Sequence, residues 1–167
     1  DEVTVNLGRH GEYLFQNGRH RFAIAILLDI DKIPVQVLVR HKNWFNFRKK
    51  LLRIAKYSGG KLYQPAWHPD LFDIPFAHDC IDRFESIKKY LPFFKGSLLD
   101  VGANLFFFCN KFEELGFTCT GVEKDLDQIE SAKMLRKAAG QKFRIIQGNI
   151  LEEINRNQIG NFYDVIF

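Results

Sequence analysis

The sequence predicts an α/β fold: a doubly wound parallel sheet preceded by a small α+β domain. Three observations carry this. From Ser97 onward, short apolar runs alternate with helical patterns, as a parallel sheet built from β-α units requires. The run Ser97–Val101 holds Asp100 and turns through Gly102 into a helix start, while the next run, Phe117–Val122, leads into Glu123. Residues 1–60, by contrast, are basic, with 11 Lys and Arg against 5 Asp and Glu, whereas residues 61–167 hold 13 against 15. A basic segment joined to a mildly acidic one points to two functional units and to a negatively charged partner.

The first unit is read as residues 1–60. Val3–Leu7 alternates like a strand, and Tyr13-Leu14-Phe15 is a second. Asn17-Gly18 supplies a turn, because both residues tolerate positive φ. Arg19–Leu28 is helical, with Phe22, Ala23, Ile26 and Leu27 on one side, and Ile33–Val39 is a third strand with Pro34 at its start. Lys42–Lys56 follows as an amphipathic helix. Trp44, Phe47, Leu51 and Ala55 form its stripe, and Arg48, Lys49, Arg53 and Lys56 lie off it. Such a helix either packs on its own domain or presents its basic face to nucleic acid or a membrane surface, and the first is favoured.

Arg19-His20-Arg21 stands at a helix N-terminus, where cations oppose the helix dipole. Either an anion is held there by free amides and guanidinium groups, or the side chains reach solvent, Glu12 and Asp31. His10, His20 and His41 each follow an Arg, and they are read as surface residues, with no metal site.

Residues 61–76 form an ordered connector, too rich in Trp67, Phe72 and other apolar groups to stay in water. The second unit, residues 77–167, opens with a helix over Ala77–Leu91, its apolar positions Ile81, Phe84, Ile87 and Leu91. Strand Ser97–Val101 leads to helix Asn104–Leu115, with Asn104 as N-cap and Gly116 ending it. Strand Phe117–Val122 leads to helix Leu126–Ala139, ended by Gly140. Strand Phe143–Gln147, a short Asn149–Asn155 segment and strand Phe162–Phe167 complete the pattern. Ligands of such sheets sit at the carboxyl ends of the strands, where Gly102 lets the backbone approach and Glu123 is placed to accept ribose hydroxyls. Only the first Gly of a Gly-x-Gly-x-x-Gly set is present, which serves a pyrophosphate poorly. Cys80, Cys109 and Cys119 are widely spaced and embedded in apolar patterns, which suits reduced thiols and a cytoplasmic setting. No run is long enough to span a membrane. The chain does not begin with Met and stops within a strand pattern, so it reads as incomplete at both ends.

Asp100-Val101-Gly102-Ala103-Asn104, Gly121-Val122-Glu123, Gly148-Asn149-Ile150 and Tyr163-Asp164-Val165-Ile166-Phe167, in that order, resemble a class I S-adenosylmethionine-dependent methyltransferase of Rossmann-like fold. The resemblance covers about Phe76 to the end. It implies S-adenosyl-L-methionine as cofactor, with Asp100 orienting the turn or, through water, the methionine amino group, Asn104 at the same end, Glu123 on the ribose, Lys124 or Asp125 bordering the adenine, Asn149 on the adenine amino group and Ile150 on its ring. Arg83 would reach the methionine carboxylate or join a surface ion pair, and Asp164 would be a buried structural residue. At Phe106 the chain departs from the family pattern, which has a third Gly there. A Phe must turn away or fill part of the pocket. Acceptor-binding and catalytic residues of this family come largely after the fourth strand, so no residue here is assigned as catalytic, the acceptor is unknown, and the chain as given is expected to be inactive.

Asn17-Gly18-Arg19-His20-Arg21-Phe22-Ala23-Ile24-Ala25, with Ile33-Pro34-Val35, is similar to the ParB/sulfiredoxin-like domain. That similarity implies phosphate or nucleotide binding at Gly18, Arg19, His20 and Arg21, without the sulfiredoxin cysteine. The combined expectation is a methyltransferase with an N-terminal anion- or nucleotide-binding module. The alternative is a non-catalytic phosphate-, nucleotide- or nucleic-acid-binding protein using the first unit.

Overall fold

The computed structural model describes residues 2–92, 95–152, 157–160 and 162–167. The chain forms two compact units, Asp1–Lys49 and Lys50–Phe167.

In the first unit β1 (Val3–Leu7) is the central strand, antiparallel to β2 (Tyr13–Asn17) and parallel to β3 (Val35–Arg40). Val3, Val5 and Leu7 turn inward at the period of a half-buried strand. Pro34 precedes β3 instead of opening it: it has no N–H to give the ladder, so pairing begins with Val35 opposite Val3. Helix α1 (Arg19–Leu27) starts after Gly18, whose φ is 99° and whose Cβ, if present, would lie 2.9 Å from Val3 Cα. The expected apolar side of α1 is not the buried one. Ala25 is its buried residue, while Phe22, Ile26 and Leu27 are 45, 63 and 83% exposed. A small side chain brings this short helix close to the sheet and leaves the large ones outside. Phe22 rests against the Phe15 ring, centroids 5.8 Å apart.

Helix α2 (Lys42–Tyr57) buries Trp44, Phe47, Leu51 and Ala55 along one stripe, and the division between units falls within it. The connector that follows buries Leu62, Ala66, Leu71 and Ile74, and Leu62 both donates to Pro75 and accepts from Ala77 through the backbone. Trp67 donates its indole N–H to Glu114, and Lys111, paired with the same Glu114, lies 4.5 Å from the Trp67 ring centroid.

The second unit is a Rossmann-like α/β fold. β4 (Ser97–Val101), β5 (Thr118–Glu123), β6 (Arg144–Gln147) and β7 (Val165–Ile166) form one parallel sheet in the order β6-β5-β4-β7. Numbered within the unit this is 3-2-1-4, so the sheet grows one way from β4 and then the other. That reversal is the switch point at which doubly wound sheets bind ligands. Helix α3 (Cys80–Tyr90) begins at Cys80 and not at Ala77, because Asp79 caps it by accepting from the Ile81 and Asp82 amides. Of its expected stripe Phe84 is buried, while Ile81 is 40% exposed and Cys80 takes the inward position. Helices α4 (Phe107–Glu114) and α5 (Leu126–Ala138) end in paired backbone bonds around Gly116 and Gly140: Phe117 N–H to Phe112 and Gln141 N–H to Arg136 close each terminus. β7 is shorter than the expected Phe162–Phe167 strand. Asp164 before it is exposed, not buried, and its Oδ2 accepts from the Ser97 amide and hydroxyl at 2.7 and 2.8 Å, pinning β7 to β4. Residues 153–156 of the expected Asn149–Asn155 segment lie outside the described residues; Asn149 Oδ1 accepts from the Leu151 amide to start a turn. Among the described residues no helix is long and apolar enough to cross a membrane.

Candidate functional site

The site lies at the carboxyl ends of β4 and β5. Gly102, with φ of 73°, lets the chain leave β4 sharply, and the amides of Gly102 and Ala103 both donate to Val122 O, at 2.9 and 3.0 Å. The turn is therefore fastened to β5 before α4 begins. Asn104 (φ 50°) and Phe106 (φ 59°) are both left-handed, a conformation that non-Gly residues seldom adopt. This delays the helix: α4 starts at Phe107, and Phe106, not Asn104, holds the N-cap position without a side-chain cap. Gln64 from the connector substitutes, its Oε1 accepting from the Phe107 amide at 3.4 Å. Sequence reading missed Gln64, which no spacing rule ties to the turn.

Phe106 turns away from the turn's open side. It is fully buried and stacks on Phe143 at 5.7 Å with the planes 16° apart. A Cβ built on Gly121 would stand 2.3 Å from its ring, so the Phe at this position is accommodated by a Gly on the neighbouring strand. A Cβ built on Gly102 meets nothing within 4 Å, so a ligand can approach the backbone there.

Glu123 gathers the site. Its Oε2 accepts from the Asn104 amide at 2.9 Å, and its Oε1 from the Lys124 and Asp125 amides at 2.8 and 2.9 Å. Three of the roughly four lone-pair positions of a carboxylate are thus filled, leaving one for a hydroxyl unless Asn104 lets go. Asp125 caps α5 through the Asp127 and Gln128 amides, and Gly148 donates to Glu123 O at 2.9 Å, drawing the end of β6 to the same place. Lys124 is exposed beside it. Asn149 follows on from Gly148, and Ile150 packs on the cluster of Leu99, Val122, Ile146 and Ile159.

Asp100 is 4% exposed. Burial, and secondarily the Glu123 charge, push its carboxyl up to about 7, against a smaller lowering by Arg83. Its Oδ2 and the Asn104 Oδ1 are sealed from solvent with no hydrogen-bond partner among the described residues. Each such orphan costs about 1–3 kcal/mol, which a ligand offering donors would relieve. Arg83 forms no ion pair among the described residues; its guanidinium lies 5.4 Å from the Phe108 ring centroid. The structure thus brings Asp100, Gly102, Asn104 and Glu123 together, with Lys124, Asn149 and Ile150 along the neighbouring strand ends.

In the first unit Gly18, Arg19, His20 and Arg21 line a cavity of about 780 Å³, with Thr4 and Gln36 on its wall. The Thr4 hydroxyl oxygen is buried without a partner among the described residues. Glu12, an expected counter-charge, instead accepts from the His10 amide at 2.8 Å. Among the described residues no group of three or more His, Cys, Asp or Glu could hold a metal ion.

No family model matches the chain, and no curated protein matches it. Among solved structures it is similar to the PH0226 protein from Pyrococcus horikoshii OT3, at 21% identity over 54% of this chain and 42% of that one, with a TM-score of 0.43. It is similar to the kinase-methyltransferase WbdD at 22% identity over 62% and 25% of the two chains, TM-score 0.49. A third similarity is to a putative S-adenosyl-L-methionine-dependent methyltransferase from Methanococcus maripaludis, at 15% identity over 64% and 44%, TM-score 0.44. The chain spans less than half of each of these proteins.

Proposed function

We propose that the second unit is the cofactor-binding part of an S-adenosyl-L-methionine-dependent methyltransferase. The observation that carries this reading is the carboxylate of Glu123, held at the tip of β5 and bonded to the Gly102–Asn104 turn beside the switch point. In this reading Glu123 accepts a ribose hydroxyl, and Asp100 and the Asn104 amide group take the ammonium end of the methionine. Lys124 borders the adenine, Asn149 contacts its amino group and Ile150 packs on its ring. When bound, the cofactor supplies a methyl group activated on a sulfonium sulfur. The residues named here orient that methyl, and positioning of this kind provides much of the acceleration in such transfers. The acceptor and any base remain unassigned. Calorimetric titration of S-adenosylhomocysteine tests the reading: micromolar binding is expected, lost in Glu123→Ala, and no binding by the folded chain would overturn it.

The 780 Å³ cavity favours a second ligand in the first unit, a phosphate or nucleotide held by Arg19, His20, Arg21 and the uncapped amides after Gly18. Its size lies within the usual range of ligand pockets, about 300–1,000 Å³. Pyrophosphate titration with Arg19→Ala tests it, and equal affinity in both would sink it.

A further inference from the structure

Helix α1 is charged against its own dipole at both ends. Arg19, His20 and Arg21 crowd its positive N-terminus, its first turn holds no acid and its last turn no base. Past its C-terminus the chain turns on Asp29, left-handed at φ 52°, with the Ile30 amide donating to Ala25 O at 3.0 Å. That turn sets Asp29 and Asp31 beside the negative end. Arg19, His20, Asp29 and Asp31 make no ion pair among the described residues. Between the charged ends the helix is apolar and uncovered. Ile24, Ile26, Leu27 and Leu28 are 53, 63, 83 and 65% exposed, and Ile30 just beyond is 50% exposed. These five and Phe22 present roughly 700 Å², against the roughly 800 Å² that each partner of a standard interface covers. A helix of nine residues is marginal in water without packing, and here Ala25 is the residue packed.

The charges choose the occupant. An antiparallel helix with the same order of charges sets acids against the basic end of α1 and bases against its acidic end, and the two dipoles oppose each other. A second copy of α1 is such a helix. At about 3.6 residues per turn, Ala23 and Leu27 lie on the side away from the buried Ala25. We propose that two copies of this chain pair through antiparallel α1 helices, about a twofold axis at the level of residue 25. In that register Ala23 of each copy receives Leu27 of the other, small against large. Ile24 meets Ile26, and Arg19 reaches Asp31. The pairing is isologous, so each contact occurs twice. It rests on neither the phosphate nor the methyltransferase reading, since Leu27 and Asp31 line neither site.

Sedimentation equilibrium of the intact chain is the test. A reversible dimer with a micromolar Kd is expected, weakened by added salt because exposed charges are screened. Leu27 is 83% exposed, so Leu27→Ser leaves the fold alone and should raise the Kd by about tenfold or more. Arg19→Asp and Asp31→Arg each place like charges at both contacts, and each should raise it by about fivefold. Mixing these two single variants restores opposite charges at both contacts. A heterodimer should then form with close to the parent Kd, a rescue that a misfolded variant could not give. A chain that stays monomeric at millimolar concentration would overturn the proposal. So would a dimer indifferent to Leu27→Ser, or a mixture no tighter than either variant alone. Pyrophosphate binding by a monomeric chain would sink this proposal alone, and a dimer that binds no pyrophosphate would sink the phosphate reading alone.

Discussion

The ring of Phe106 occupies the space that a side chain on Gly121 would need, 2.3 Å from where its Cβ would stand. One residue sits in the turn after β4 and the other inside β5, so the pair locks the turn to the sheet by shape. Gly121→Ala should therefore destabilise the chain by about 1–3 kcal/mol, because a buried ring cannot yield that far. Phe106→Gly should relieve the left-handed strain but leave a cavity, for a net loss of about 2–4 kcal/mol. The double variant should cost less than the sum. Thermal and urea unfolding of all three would show this coupling, and simple additivity would mean that the ring and the glycine act separately.

Asp100 leads to a pH prediction. Its folded-state carboxyl titrates at about 7, above its unfolded value, so the folded state holds the proton more tightly. Stability should fall as pH rises from about 4 through 7, as this buried group is forced to ionise. Asp100→Asn keeps the shape and removes the charge. The variant should melt several degrees above the parent at pH 8 and close to it at pH 4. Equal differences at both pH values would contradict the assignment.

The same carboxyl should govern ligand affinity. A methionine ammonium favours ionised Asp100, so S-adenosylhomocysteine binding should weaken as pH drops below about 7, by up to tenfold per pH unit. Asp100→Asn should flatten that profile. Calorimetry from pH 5.5 to 8.5 reads it directly.

Glu123→Gln should loosen the turn as well as the ligand site, because an amide side chain cannot accept three N–H bonds in the same way. Faster amide exchange is expected at Asn104, Lys124 and Asp125, with the core of β5 unchanged. Exchange confined to Lys124 would show that the Asn104 bond carries little.

Much of the second unit was legible because its elements obey local rules. Gly116 and Gly140 stop their helices, and apolar runs mark β4 to β6, whereas the periodicity starts α3 at Ala77 and passes over the Asp79 cap. The start of α4 was not legible. Asn104 is a good N-cap by type, but the turn needs it left-handed and bonded to Glu123, a contact nineteen residues away. The fate of Phe106 was hidden for the same reason, since the space it fills is made by Gly121 on another strand. The side of α1 misled because periodicity marks the apolar stripe, while closeness to the sheet favours Ala25. Gly102 and Glu123 stand out as candidates in the sequence by their places at strand ends, and the other candidates follow from the resemblance. Gln64 and the orphaned oxygens of Asp100 and Asn104 emerge only when distant segments are brought together.

The grip of three backbone amides on Glu123 has a further consequence. A carboxylate with a single vacant position is a poor judge of vicinal diols: it recognises one hydroxyl and is nearly blind to the second. Deoxygenating either ribose position of a nucleoside ligand should then change its affinity little. Discrimination would appear only in a chain whose Asn104 amide has already let the acid go.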